Sequence, residues 1–271
     1  MRDRDDVRGF IEDFSGTNRH ILDYLLEEVL AREPEAVQSF LIQTAILTRL
    51  TGPLCDAVTG ASDSQAILES LERRNLFVVP LDDERIWYRY HHLFADLLQA
   101  RLYQSGPDVV RRLFSRAAGW CAHHGQIVEA VDYALAAQDY ERASGLIKRY
   151  WADAAGEGEI ETVWSWLSAL PEDTIRNSAP LSVTYCWLIW FQGRTGEIEA
   201  HLLDAERAVH DTDVFGADDE SYTGLHAELA ALRSIVARYH SDFETAITLA
   251  ERALNLIPPK LPSQASAQLH G

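Results

Sequence analysis

From Asn18 to Ala31 the chain reads NRHILDYLLEEVLA, with Ile21, Leu22, Leu25, Leu26, Val29 and Leu30 recurring every three or four residues. That is the period of an amphipathic helix. Thr17 and Asn18 are both suited to cap it, and Pro34 suits the first turn of a second helix carrying Val37, Phe40, Leu41, Ala45 and Leu47. Gly52-Pro53 interrupts the pattern, and a short helix follows to about Thr59. Ser62 or Ser64 is placed to cap a fourth helix bearing Ile67, Leu68 and Leu71, which ends near Asn75. There the period changes. Leu76-Phe77-Val78-Val79 is an apolar, β-branched run that stops at Pro80, and Ile86-Trp87-Tyr88-Arg89-Tyr90 is an aromatic-rich one. Asp82-Asp83-Glu84 lies between them as the turn of a β-hairpin. Another amphipathic helix starts near Tyr90 and opens on two adjacent histidines, His91 and His92.

Several helices, a hairpin and a closing helix predict a winged-helix domain. Gly106-Pro107 is the clearest break in the chain, since that pair stops a helix and marks a turn. Beyond it the phrases GQIVEAVDYALAAQ, QDYERASGLIKRY, GEIEAHLLDAERAV and SDFETAITLAERALNLIP echo one another. Each has a turn residue, a bulky apolar residue, then alanine where two helices approach closely. In the last, Phe243, Ala246, Leu249, Ala250, Ala253 and Leu254 form one stripe that Pro258 ends, as in the second helix of a tetratricopeptide-like hairpin. The expected fold is therefore mainly α: a winged-helix-like domain with a β-hairpin, followed by a degenerate tetratricopeptide-like superhelix with a concave face for a ligand or partner. The expected division is 1–31 as the end of a preceding helical region, 32–105 as the winged-helix domain and 108–271 as the repeat region. Both ends read as cut from a longer protein. Helix 18–31 has no earlier partner, and PPKLPSQASAQLHG carries no polar capping helix.

Charge narrows the function. The 271 residues hold 42 Asp and Glu against 24 Lys and Arg, a formal net charge of −18. Gripping a phosphate backbone needs clustered cations, so direct nucleic-acid contact is not expected. Cys55, Cys121 and Cys186 lie far apart inside apolar helical patterns, which suits reduced, packed thiols rather than disulfides or a metal site. No apolar run reaches the ~18 to 20 residues of a membrane span, and MRDRDDVRGF lacks an apolar signal core. A cytoplasmic protein is expected.

Candidate chemistry is sparse. His123-His124 lies at a helix end without the further ligands that a metal needs, and favourable interaction with that helix terminus accounts for it. Trp151, Trp164, Trp166, Trp187 and Trp190 are spaced like core positions on successive helices. Glu27-Glu28 and Asp218-Asp219-Glu220 accompany no nucleophile and read as solvated acidic faces. With no nucleophile–base pair and no metal set, the chain reads as non-enzymatic.

Four phrases occur in a telling order: SGTNRHILDYLLEEVL, FLIQTAILTRLTGPLCDAVTG, LESLERRNLFVVPLDDERIWYRYHHLFADLLQARL and AAGWCAHHGQIVEAVDYALAAQDYERA. Together they resemble the central part of MalT-type transcription activators, the large ATP-dependent LuxR-family regulators among the signal-transducing ATPases. The resemblance covers about the first 150 residues strongly and the remainder more weakly. It implies a nucleotide-binding domain upstream, a winged-helix arm, a superhelical sensor and a C-terminal helix-turn-helix reader. In such regulators inducer and ATP convert an ADP-held resting monomer into a self-associating activator. This chain would supply the arm and the first part of the sensor. It contains no G-x-x-x-x-G-K-[ST] phosphate loop and no LuxR-type DNA-binding tail, so it should neither hydrolyse ATP nor bind promoter DNA by itself. No cofactor is expected within it, whereas ATP and ADP belong to the full-length regulator. In related switch ATPases a histidine opening a winged-helix helix contacts the β-phosphate of ADP. His91 matches that position best, with His92 and the strand residue Arg89 as further nucleotide-sensing candidates. The implied partners are the upstream ATPase domain, a small-molecule effector or regulatory protein on the superhelix, and further copies of the protein. The competing reading is a stand-alone helical-repeat interaction module that binds a peptide or protein without nucleotide.

Overall fold

Apolar stripes at helical period must be buried against something, and in the computed structural model they build two compact units that divide between Asp139 and Tyr140. The structure describes residues 30–214 and 219–256. The helix expected over 18–31 lies outside these residues except at its end, where Leu30–Arg32 forms a 3-10 turn with Leu30 buried.

In the first unit α1 (Glu35–Thr44) starts behind Pro34 and buries Phe40 and Leu41. It stops at Thr44, short of Ala45 and Leu47, which are buried in the following loop. Helix α2 (Gly52–Thr59) has Pro53 in its first turn and is capped by Thr51, whose side chain accepts from the Leu54 N–H at 3.3 Å. Gly60, with φ of 81°, ends it in a left-handed turn. Helix α3 (Ser64–Arg73) is preceded by Asp63, so neither Ser62 nor Ser64 is its N-cap residue. The Asp56 carboxylate of α2 accepts the Ser64 N–H at 3.1 Å instead, a cap supplied across space.

The hairpin is where expected but shorter. Strand β1 (Val78–Pro80) pairs antiparallel with β2 (Tyr88–Tyr90), and Val78 faces Tyr90, Val79 faces Arg89 and Pro80 faces Tyr88. Phe77 is not strand. It adopts a left-handed φ of 58°, and Asn75 one of 54°, as the chain swings out of α3. Ile86 and Trp87 belong to the turn, because the Asp82 carboxylate accepts both their N–H groups at 2.9 and 2.8 Å. Leu50, from the loop after α1, adds a one-residue bridge to Tyr88 with hydrogen bonds of 2.8 and 2.9 Å. That bridge lies 38 positions away in sequence and has no periodic signature. Helix α4 (His92–Tyr103) closes the winged helix and buries Phe94, Leu97, Leu98 and Leu102.

Gly106, with φ of 93°, and Pro107 turn the chain into α5 (Pro107–His123) and then α6 (Ile127–Ala136). This turn lies inside the first unit, because α5 packs against α2 and α6 against α5.

The second unit contains α7 (Tyr140–Glu157), α8 (Ile160–Ala169), the short α9 (Glu172–Arg176) and α10 (Ala179–Phe191). Then follow α11 (Thr195–Val214), α12 (Asp219–Tyr239) and α13 (Phe243–Leu256). Neighbours in sequence are neighbours in space: α10 packs on α11, α11 on α12 and α12 on α13. Small residues allow this, with Ala205, Ala227, Ala231, Ala246 and Ala253 buried where the helices meet. The stripe expected on α13 is buried at Ala246 and Ala253 and half-buried at Leu249, Ala250 and Leu254, but Phe243 is 62% exposed. Among the described residues no helix is long and apolar enough to cross a membrane.

Candidate functional site

The hairpin–helix junction is built by alternation. Tyr88 and Tyr90 point into the core and Arg89 points out, so the strand arginine is exposed beside Val79. The Tyr90 hydroxyl meets the Thr44 hydroxyl at 2.6 Å, and Thr44 in turn donates to the Phe40 carbonyl at 2.7 Å. Tyr90 is therefore the donor of that pair. Burial holds its phenol far above the ordinary tyrosine range.

His91 follows as the N-cap residue of α4, with extended φ and ψ of −63° and 135°. Its backbone is fully used. The N–H donates to the Phe77 carbonyl at 2.7 Å, and the carbonyl accepts from Phe94 and Ala95, both at 2.9 Å. Its side chain makes no capping bond to the first-turn amides. The half-buried His91 ring lies 4.4 Å from the exposed ring of His92, centroid to centroid. Arg89, His91 and His92 thus lie within four residues of one another, with Arg89 turned outward, Tyr90 buried between and the histidine rings adjacent.

Two features beside this site escape the linear pattern. Phe77 tolerates its left-handed backbone because its ring stacks on Phe94 at 5.1 Å while its carbonyl anchors His91. Upstream, Glu33 is 3% exposed at its side chain and receives Arg74 through two bonds of 2.8 and 2.5 Å. This fork ties the chain's entry to the residue just before Asn75, at the root of the hairpin. The two residues are 41 apart, and neither stands out by type.

The loop between α1 and α2 touches both neighbours of this junction. On one side Arg49 pairs with Glu129 of α6, and the Thr48 N–H donates to the Tyr133 hydroxyl at 3.3 Å. On the other, the Arg49 guanidinium lies 4.8 Å from the centre of the Trp87 ring, and Leu50 pairs with Tyr88.

Other candidates fall to packing. His124 stacks on Trp120 at 3.9 Å and its Nδ1 lies 2.8 Å from the Trp120 carbonyl, so the His123-His124 pair ends α5 as expected. Among the described residues no group of three or more His, Cys, Asp or Glu could hold a metal. All three cysteines are free and buried, and burial pushes Cys121 up to about 11 and Cys186 up to about 12. Such thiols are inert. Trp151, Trp166 and Trp187 are buried, while Trp164 and Trp190 are half-buried. Glu27, Glu28 and Asp218 lie outside the described residues. One carboxylate does stand out. Glu228 on α12 accepts the Trp187 indole N–H at 3.0 Å, and burial pushes its carboxyl up to about 7.

Residues 26–110 match the sequence model of the MalT winged helix domain. The HTH-type transcriptional regulator MalT of Vibrio cholerae serotype O1 is 32% identical over 253 residues, covering 90% of this chain and 27% of that protein. The serine/threonine-protein kinase PknK of Mycobacterium tuberculosis is 29% identical over 269 residues, 98% of this chain and 24% of that protein. PknK of Mycobacterium bovis aligns with the same figures. The chain thus spans about a quarter of the length of the curated relatives it matches. Its mainly helical architecture, with a two-stranded hairpin between α3 and α4 and alanine-faced helix pairs after it, agrees with that match. Residues 26–110 thus form a MalT-type winged-helix domain, and the chain as a whole is similar to a segment shared by MalT and the PknK kinases.

Proposed function

We propose that this region couples effector binding on the helical repeats to the nucleotide state of an ATPase domain that lies elsewhere in the full-length protein. In this reading residues 1–31 end the nucleotide-binding region, 32–105 are the arm and 108–271 begin the sensor. His91 is the nucleotide-sensing residue, aided by the uncapped first-turn amides of α4, whose helix dipole favours a phosphate. His92 and Arg89 flank it. ATP or ADP is the ligand of the full-length protein, and its partners are the ATPase domain, an effector and further copies. The transcription named for the MalT relative is the expected output. We assign no reaction to this chain.

The observation that carries the proposal is the shared loop at Thr48–Leu50. It is gripped by Glu129 and Tyr133 of α6, and it grips Trp87 and Tyr88 just before His91. A shift of α6, which with α5 makes the first sensor helix pair in this reading, therefore has a short mechanical route to the His91 backbone. An effector that favours one position of α6 would shift the population in which His91 holds ADP. The test is ADP release from the full-length protein. His91→Ala should accelerate release by about tenfold or more and raise effector-independent transcription, within the range of ordinary coupling energies. Unchanged release and basal transcription in that variant would remove His91 from the mechanism.

A further inference from the structure

The short helix α9 is tied to both of its neighbours in the second unit. The Ser182 hydroxyl of α10 donates to the Ile175 carbonyl at 2.7 Å, and the Arg176 Nε lies 3.5 Å from the Asp204 Oδ2 of α11. Residues of α8, α9, α10 and α11 here enclose a cavity of about 200 Å³. Pockets for drug-sized ligands measure roughly 300–1,000 Å³, so an occupant of this one is small. Leu167, Leu170 and Ile175 form an apolar wall. Tyr185 lines another side, held by Trp164 stacked on its ring at 5.5 Å and by His201 set edge-on at 5.0 Å. Arg176 and Asp204 stand side by side in the same lining. Arg176 also pairs with Glu172 one turn earlier, and the Asp204 Oδ1 takes Arg207 at 3.2 Å.

We propose that this cavity binds a free apolar α-amino acid as its zwitterion, a proposal that rests on the reading that the helical repeats carry the effector site. The ionic groups decide the class. A lone anion placed on Arg176 would lie against Asp204 and Glu172, and a lone cation placed on Asp204 would lie against Arg176 and Arg207. Each would meet its own sign as well as the opposite one. An α-amino acid carries both charges on one carbon. Its carboxylate can therefore lie on Arg176 while its ammonium lies on Asp204, and the four charges alternate in sign. Both side chains have bonding capacity to spare. The Arg176 Nη1 makes no hydrogen bond among the described residues. A carboxylate offers about four lone-pair sites, more than the two arginine contacts of Asp204 occupy. The Asp204 side chain is only 22% exposed, so its contact with an ammonium is made partly out of water and is stronger for it. Leu167, Leu170 and Ile175 then receive the apolar side chain.

The test is titration calorimetry of the intact 271-residue chain with three probes. They are L-leucine, 4-methylpentanoate, which lacks the ammonium, and 3-methylbutylamine, which lacks the carboxylate. Leucine should bind with a Kd of about 1 mM or tighter, and each analogue at least about tenfold more weakly, because each leaves one charged group unmatched. Asp204→Asn should remove the preference for leucine over 4-methylpentanoate by weakening leucine alone, a split that a disrupted fold would not produce. No binding of leucine by the unaltered chain up to about 10 mM would overturn the proposal. So would equal affinity for all three probes, or a preference for leucine that Asp204→Asn leaves intact. The titration involves neither His91 nor nucleotide. Leucine that binds here yet leaves ADP release from the full-length protein unchanged would remove the coupling and keep the site.

Discussion

The two units solve the problem of burying helices in opposite ways. In the first, specific polar contacts join residues far apart in sequence: Thr44 to Tyr90, Glu33 to Arg74, Leu50 to Tyr88 and Thr48 to Tyr133. Each is paired and saturated, so the hairpin, the closing helix and the α1–α2 loop are held in one arrangement. In the second, each helix packs mainly on the next, through alanines and large aromatics. There the conspicuous polar contact is the half-buried Glu228 carboxylate on Trp187, an acid that accepts from an indole N–H rather than pairing with a cation. The first unit is thus a closed construction suited to holding a site in place. The second is a quasi-one-dimensional stack, suited to small shifts between neighbours.

The strongest way to break this comparison is to remove the centre of the stack. Trp187 is 1% exposed and touches Trp190, Phe191 and Glu228. Trp187→Ala should destabilise the second unit by roughly 3–5 kcal/mol. Hydrogen exchange should rise across α10–α13 and stay unchanged across α1–α5. Equal loss of protection in both units would show that they are not energetically separate.

Next in size is the titration of Glu228. Its folded carboxyl sits at about 7 because of burial, partly offset by the Trp187 hydrogen bond, against an ordinary 4.5 in the unfolded chain. The folded state therefore holds this proton more tightly between those values. Its stability is greatest below pH 4.5, falls as the pH rises, and bears the full penalty above pH 7. Glu228→Gln keeps an acceptor for Trp187 and should stabilise the second unit by about 2–3 kcal/mol at alkaline pH, with no gain in acid. Urea titrations at both extremes check this, and a gain of the same size in acid would refute it.

The smallest effect belongs to the first unit. Tyr90→Phe removes one buried hydrogen bond while Thr44 keeps its bond to the Phe40 carbonyl, so about 1 kcal/mol should be lost. The loss should not vary between neutral and mildly alkaline pH, since burial holds the Tyr90 phenol far above the ordinary range. A pH-dependent loss in urea denaturation would mean that this pair is not saturated as the distances indicate.

Most of the helices were legible from their apolar period, and the hairpin from the two β-type runs around Asp82. The limits of the hairpin were not. Phe77 looks like a strand residue by type, yet ring stacking on Phe94 and the bond to His91 hold it left-handed. The cap of α3 was misplaced onto a serine because Asp56 reaches Ser64 only after α2 and α3 have packed. The period of α13 puts Phe243 on its buried stripe, but as the first residue of that helix it lies at the open end of the α12–α13 contact and stays 62% exposed.

The amino-acid sequence alone determined the element types, the order of hairpin and histidines, the cysteines' burial in apolar patterns and the winged-helix domain. All of these depend on residue type and local spacing. Tertiary structure decided the rest: that Arg89 faces outward while the His91 backbone is anchored, that Glu33 meets Arg74, that the Thr48–Leu50 loop joins α6 to β2, and that Glu228 meets Trp187. The last three of these pairings lie 38 to 85 positions apart. No periodicity encodes them, because each exists only once packing has brought two distant backbones within hydrogen-bonding reach.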